Sequence, residues 1–429
     1  MKLSLPLSKN SGVSILGYLA IVLPLAIYFI AVFHYAVNIP FWDEFDAALD
    51  WLLKFNEAGI GDKARLLIRQ HGEHRIFSYY AMVLINYLMM GEINFRFMTI
   101  AGNLAIIILI ILLYYFLPAE KRNMLFFIPV VLLLTPPMGH ITDMSLMTMN
   151  GVVQYVLIMA SLWFLNKSQH RFFILAVILA IAATFSFGSG LFVFIAGYII
   201  LFLEKPMRRN KIAVWSLFAV ISVLSYFSNY VLITQGKPGF YDVDRSIGSL
   251  MFFAAFFANN FFPFFGKQLL PVILLGCFIL LFCLWLVISR WKCIKMHPVT
   301  LGLMFFIVSV AAVISFSRIG IGIEVATADR YRLITALFLA LMYILVLQCF
   351  PEINKWVMVA IMLGSLLFYA GRTMYGFHKL EKHKTLLTEG MKTYYETKTC
   401  PKTLFPDESR GTWILDESVA NNIYRLNEP

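Results

Sequence analysis

Charge is scarce in this sequence. Asp, Glu, Lys and Arg make up 14% of its 429 residues, well below the roughly 25% of an average soluble domain. That scarcity excludes a soluble enzyme of this length. Cysteine is scarce too, with Cys277, Cys283, Cys293, Cys349 and Cys400 as the whole set. No CxxC pair or His/Cys box joins them, which excludes a disulfide framework and a zinc motif. Basic blocks with interleaved aromatics are missing, so the net charge of +11 does not point to nucleic acid. Alternating apolar patterns are missing, against a β-barrel. Internal repeats are missing as well, against a transporter built from repeated halves.

What the chain has is hydrophobicity: 60% of its residues are apolar. Runs of about 18 residues, enough to span a bilayer, recur from end to end. The sequence predicts an all-α polytopic membrane protein. Eleven spans are expected, near 14–36, 96–117, 124–136, 151–166, 171–187, 190–203, 211–233, 268–289, 299–317, 333–349 and 356–371. The first run exceeds a signal-peptide core and lacks a small-x-small cleavage site, so it reads as a retained helix.

With the N-terminus in the cytoplasm, every inner loop is basic: Lys121/Arg122, Lys167/Arg171, Lys205/Arg208/Arg209/Lys211, Arg290/Lys292/Lys295 and Lys355. That is the positive-inside pattern. The large outer pieces are then 37–95, 235–267 and the tail 372–429. Residues 76–90, IFSYYAMVLINYLMM, would invert every later loop if they crossed. They read as an interfacial or re-entrant helix, and so do 248–262. The organisation expected is a transmembrane domain over 1–371, with 37–95 as its first outer loop, and a small outer tail over 372–429.

The informative stretch of that loop is FWDEFDAALDW, residues 41–51, with Asp43, Glu44, Asp46 and Asp50 within eight residues. Pro40 constrains the residue before it, and an acid favours the helix start near Asp43. Phe45, Ala48, Leu49 and Leu52 follow the helical apolar spacing, so an amphipathic helix is expected on the membrane surface. Asp46 and Asp50 read as its solvated face. Asp43 and Glu44 sit in an aromatic frame of Phe41, Trp42 and Phe45, where desolvation raises a carboxyl pKa and makes a base.

Two further outer stretches are polar. RQHGEHRIFSYY, residues 69–80, carries His71, Glu73, His74 and Arg75. It reads as a wall for a hydroxylated or anionic ligand, since the His pair lacks a third metal ligand nearby. SRIGIGIEVATADRYRL, residues 317–333, places Arg318, Arg330 and Arg332 on the outer side. Arg330 and Arg332 stand at a helix start, where the dipole disfavours cations. A phosphate offsets that, because Arg binds it bidentately and the helix N-terminus adds N–H donors. His140 and Asp143 lie on an outer turn expected to face the same cavity. Tyr230, Asp242, Asp244 and Arg245 are weaker candidates for substrate contact.

A base on one side and a phosphate clamp opposite suit sugar transfer from a lipid-phosphate donor. The carboxylate takes the acceptor's proton, and the arginines stabilise the departing phosphate. The rival readings are an O-antigen polymerase or ligase, which usually carries its dominant outer loop late in the chain, and a non-enzymatic flippase or transporter.

The motifs FWDEF, QHGEHRI and SRIGIGIEVATADRYR resemble those of the GT-C superfamily of multispanning, lipid-phosphate-sugar-dependent glycosyltransferases. They resemble in particular the serotype-converting O-antigen glucosyltransferases of phage-type gene clusters. The likeness covers the first outer loop and the late Arg/Tyr loop; elsewhere it is one of topology and hydrophobicity. Gln70-His71-Gly72 ahead of the EHR, and Asp329 before Arg330, depart from the family pattern.

The resemblance implies Asp43 and Glu44 as acid/base residues and Glu73, His74 and Arg75 as cavity wall; the reading of the residues themselves adds Trp42, His71, His140 and Asp143 as substrate-binding. It implies Arg318, Arg330 and Tyr331 as the lipid-phosphate side, to which the helix-start argument adds Arg332. The donor implied is an undecaprenyl-phosphate-linked hexose, glucose in the first instance. The acceptor is a lipid-linked glycan such as O-antigen, and transfer inverts the anomeric carbon. No cofactor or metal is assigned. The location implied is a bacterial inner membrane, with the site and the tail in the periplasm. Membrane lipid and the donor-synthesising and flipping proteins of the same pathway are the expected partners.

Overall fold

A computed structural model of the chain describes residues 11–204, 207–231, 243–266, 268–350 and 352–426. Lys205 and Asp242 lie outside the described residues, as do the side chains of Asp244 and Arg245. The described chain is almost entirely helical. Among the described residues, eight helices are long and apolar enough to cross a membrane: Gly17–Tyr35, Phe95–Phe116, Ser145–Leu165, Arg209–Phe227, Leu269–Ser289, Pro298–Ile321, Asp329–Cys349 and Lys355–Thr397. Three of the expected spans form shorter apolar helices, Met124–Leu134, His170–Ser186 and Gly188–Leu203. Asparagine sets three of these starts. Asn94, Asn123 and Asn354 each accept an amide hydrogen bond at a helix N-terminus, which satisfies a donor the helix leaves open.

Asp329–Cys349 is the central helix. Of its apolar window 83% is buried, against 22% for Gly17–Tyr35, so the latter presents its surface to lipid. Lys121 is buried and closes the C-terminal end of the central helix. Its Nζ donates to the carbonyls of Leu347 (2.8 Å) and Phe350 (2.5 Å), which the helix itself leaves unpaired.

Phe77–Met90 is 14 residues long. It buries Tyr79, Tyr80, Val83 and Asn86 while exposing Leu88 and Met89, the pattern of a helix lying on the bundle. The stretch around 248–262 is a broken pair, Ser246–Phe257 and Asn259–Phe265, bent by 85°. Two asparagines at the bend hold the late loop. Asn259 Nδ2 donates to Ala326 O (2.9 Å) and Ala328 O (3.0 Å), and Asn260 Nδ2 to Arg332 O (2.9 Å).

The tail differs from expectation. The last apolar helix does not end near residue 371 but runs unbroken to Thr397, 43 residues in all. The chain beyond it folds back onto the first loop. Trp42 N bonds Leu404 O (2.8 Å), Ile93 N bonds Ile423 O (2.7 Å) and Tyr424 Oη donates to Asn38 O (2.6 Å). Phe45, Leu52, Tyr79, Leu387, Leu404, Ile414 and Tyr424 share one apolar core. Residues 37–95 and the tail are thus one folded unit.

That packing also corrects the reading of Asp50 as solvated. Asp50 is buried, because helix Glu408–Ala420 covers its face. Arg410 from that helix reaches Asp46 (2.5 Å) and Asp50 (3.3 Å), and Lys54 completes the pairing of Asp50 at 2.5 Å.

Candidate active site

The loops at one end of the bundle meet around residues 37–95. Residues 70–75 form a two-stranded hairpin in which His71 pairs with His74 across Gly72. Arg75 locks it in place. Its guanidinium donates to the carbonyls of Ile68, Tyr226 (2.8 Å) and Ser228 (2.6 Å), and it is 6% exposed. Arg75 therefore builds the wall rather than lining it. Tyr230 also serves the hairpin, donating to Glu73 O at 2.8 Å. The Glu73 side chain pairs with Arg318 at 2.5 Å, tying the hairpin to the late loop.

His74 stacks on Phe187, with ring centroids 3.8 Å apart, and its Nδ1 has no hydrogen-bond partner among the described residues. Burial pulls its pKa down to about 4, with Arg318, His71 and Arg330 adding repulsion against the attraction of Glu73. Burial also lowers His71, against the pull of Asp43 and Asp46. Both imidazoles are therefore neutral near pH 7. A cavity of about 240 Å³ opens beside His71, lined also by Asp46, Asp50, Arg69, Tyr80 and Arg410 among others.

Asp43 and Glu44 part company at Trp42. Its φ of 48° is uncommon for a side chain of this size, and the hydrogen bond from its amide to Leu404 O holds it there. The turn sends Glu44 inward and Asp43 outward. Glu44 is 2% exposed. Its Oε1 accepts from the Ser145 hydroxyl (2.5 Å) and the Leu146 amide (3.2 Å), and its Oε2 from the Phe41 amide (3.1 Å). Glu44 thus caps helix Ser145–Leu165. Burial raises its pKa to about 7, despite those hydrogen bonds. The Asp43 carboxylate is exposed and makes no hydrogen bond or ion pair among the described residues. It lies close enough to act on the charge of His71.

The arginines of the late loop divide as well. Arg318 is held by Glu73, and Arg330 is exposed beside His74 and the ring of Tyr331. Arg332 turns inward, 1% exposed, and pairs with Asp329 at 2.7 Å. It stacks on Tyr375, and so does Arg372 from the long last helix, at 5.0 and 5.5 Å from the ring centre. Arg372 is also 1% exposed. All three of its side-chain nitrogens, and Nε and Nη1 of Arg332, have no hydrogen-bond partner among the described residues. Lys379 adds a third cation, 3.9 Å from Asp329.

Gly139 makes room for this arrangement. Its φ is 61°, and a Cβ there would stand 2.5 Å from Asp329 Oδ2. The next turn carries His140 and Asp143. Asp143 Oδ2 bonds His383 Nδ1 at 2.7 Å, and Asp143 Oδ1 lies 3.7 Å from His140 Nδ1. Burial alone would raise the Asp143 pKa, but the bonded His383 and the nearby His140 hold it down at about 2. Burial works against a charged His140, and Asp143 with Asp329 outweighs it, so the His140 pKa is raised. Phe41 packs against both rings, at 5.7 Å from His140 and 4.7 Å from His383.

Contacts thus run from the first loop through Phe41, His383, Asp143 and His140 to Asp329, Arg332 and Arg372. Two members of that chain, Arg372 and His383, and the neighbouring Lys379 were not singled out in the sequence. No protein-family model, curated protein or solved structure matches this chain.

Proposed function

We propose that the chain is a membrane glycosyltransferase of the GT-C type. It moves a hexose, glucose in the first instance, from a polyprenyl-phosphate donor to a lipid-linked glycan such as O-antigen. The eight long helices and the three shorter ones at Met124–Leu134, His170–Ser186 and Gly188–Leu203 are its eleven crossings. The basic loops lie in the cytoplasm of a bacterial cell, and the site in its periplasm.

One observation carries the reading: an unengaged carboxylate, Asp43, stands at the same end of the bundle as two buried guanidiniums with unmade hydrogen bonds. A buried donor left without a partner costs roughly 1–3 kcal/mol, and a phosphate bound at Arg332 and Arg372 recovers that cost. Asp43 takes the proton of the acceptor hydroxyl as its oxygen forms a bond to the anomeric carbon. The bond from that carbon to the phosphate oxygen breaks, and the pair of electrons leaves on the lipid phosphate. Arg332 and Arg372, with Arg330 nearer the surface, stabilise the charge that develops there. Glu44 positions the loop that carries Asp43.

The test is transfer of labelled glucose from polyprenyl-phosphate glucose to a lipid-linked glycan in membranes holding the full chain. Wild type transfers, and D43N is slowed by roughly 10²–10⁴-fold, the usual worth of a general base. Direct use of a nucleotide sugar without the lipid donor would refute the reading. So would a gene deletion that changes glycan chain length or surface delivery while every sugar of the repeat remains.

A further inference from the structure

We propose that His140, Asp143 and His383 bind one divalent transition-metal ion of the Zn²⁺ class, through two ring nitrogens and a carboxylate oxygen. Their ligand atoms all lie within 4.8 Å of one another. In a tetrahedral site with metal–ligand bonds of about 2.0–2.2 Å, neighbouring ligand atoms stand roughly 3.3–3.5 Å apart. Each ring faces a different oxygen of Asp143, His383 Nδ1 at 2.7 Å from Oδ2 and His140 Nδ1 at 3.7 Å from Oδ1. Binding through one of these oxygens draws the three ligands together and displaces the hydrogen between His383 and Asp143.

His140 Nδ1 and Asp143 Oδ1 are buried atoms with no hydrogen-bond partner among the described residues, so both remain available to an ion. Two imidazoles and one carboxylate suit a first-row transition ion better than Ca²⁺ or Mg²⁺, which take oxygen ligands. Three protein ligands leave a fourth position for water or an anionic oxygen. The site has a way in, because the His140 side chain is 42% exposed while those of Asp143 and His383 are 2% and 8% exposed. Phe41, against both rings, fixes their orientation. The proposal does not rest on the glycosyl-transfer reading.

The experiment uses the full chain in detergent, purified without a histidine tag, stripped with chelator and titrated with Co²⁺. Wild type should develop visible bands that saturate near one ion per chain and vanish when Zn²⁺ is added. H383A should weaken Co²⁺ binding by roughly tenfold or more, and H170A, at the other end of the bundle, should leave it unchanged. H140A is the decisive variant, because its half-exposed side chain can be removed without opening the core. It should keep the wild-type elution profile, lose the bands and lose the rise in melting temperature that Zn²⁺ gives wild type. A wild type without Co²⁺ bands, or an H140A that binds as tightly as wild type, overturns the proposal and leaves His383 and Asp143 as a proton-bound pair.

Discussion

The Glu44 carboxylate accepts the hydroxyl hydrogen of Ser145 at 2.5 Å, and this contact seats the first loop on the N-terminus of helix Ser145–Leu165. Its carboxyl is raised from 4.5 to about 7, so folding takes up a proton between those pH values. The stability linked to that proton is fully present below about 4.5 and is lost as pH rises through about 7. A shift of this size corresponds to on the order of 3 kcal/mol. Melting temperatures measured from about pH 5 to about pH 8 should therefore fall more steeply for wild type than for E44Q, whose amide does not titrate. Parallel profiles would refute this.

Asp43 stands one residue away with its carboxylate unengaged. D43N should leave the melting temperature within the range of a surface change, about 0.5 kcal/mol, while transfer activity collapses. A D43N protein that melts early would show that the carboxylate supports the fold instead.

Arg372 is a buried charge with no hydrogen bond among the described residues. Apolar replacement of such a group is often neutral or stabilising, by about 1–4 kcal/mol. Unliganded R372M should therefore melt at or above the wild-type temperature, while KM for the lipid-phosphate donor rises by roughly tenfold or more. Thermal melting with and without polyprenyl phosphate checks both halves. Destabilisation of the unliganded variant would count against an anion site.

The tail is a further case. Leu404, Phe405, Ile414, Leu415, Ile423 and Tyr424 are all buried, and fully burying such a side chain is worth about 1.5–3 kcal/mol. A chain ended after Thr397 should fail to accumulate in membranes as a folded monomer. Normal accumulation, read by blot and by gel filtration in detergent, would show that the first loop folds without it.

Much of the bundle was legible, because continuous apolar runs fix helices without help from distant residues. Asp43, Glu73 and the late arginines were legible as charges in a chain that has few. The division of labour between Asp43 and Glu44 was not. It depends on the turn at Trp42, held by the carbonyl of Leu404 from the far end of the chain. The separation of Arg332 from Arg318 and Arg330 likewise depends on Tyr375 and Arg372. Residues 372–397 read as a polar tail because charge is frequent there. They nevertheless lack proline and carry Leu380, Leu387, Met391 and Tyr394 at helical spacing. That pattern is the signal that would have extended the helix and brought Arg372, Lys379 and His383 into view.

Helix Lys355–Thr397, at 1.5 Å per residue, is about 65 Å long, roughly twice the thickness of a bilayer's hydrocarbon core. A single rod therefore sets the height of every group along it. Arg372 sits about 16 Å below His383 on that scale, and the buried face of the C-terminal unit begins just above. The helix acts as a ruler standing in the lipid. If the bilayer thins or the rod tilts, Arg372 and His383 move together relative to the headgroups, and their spacing from one another does not change.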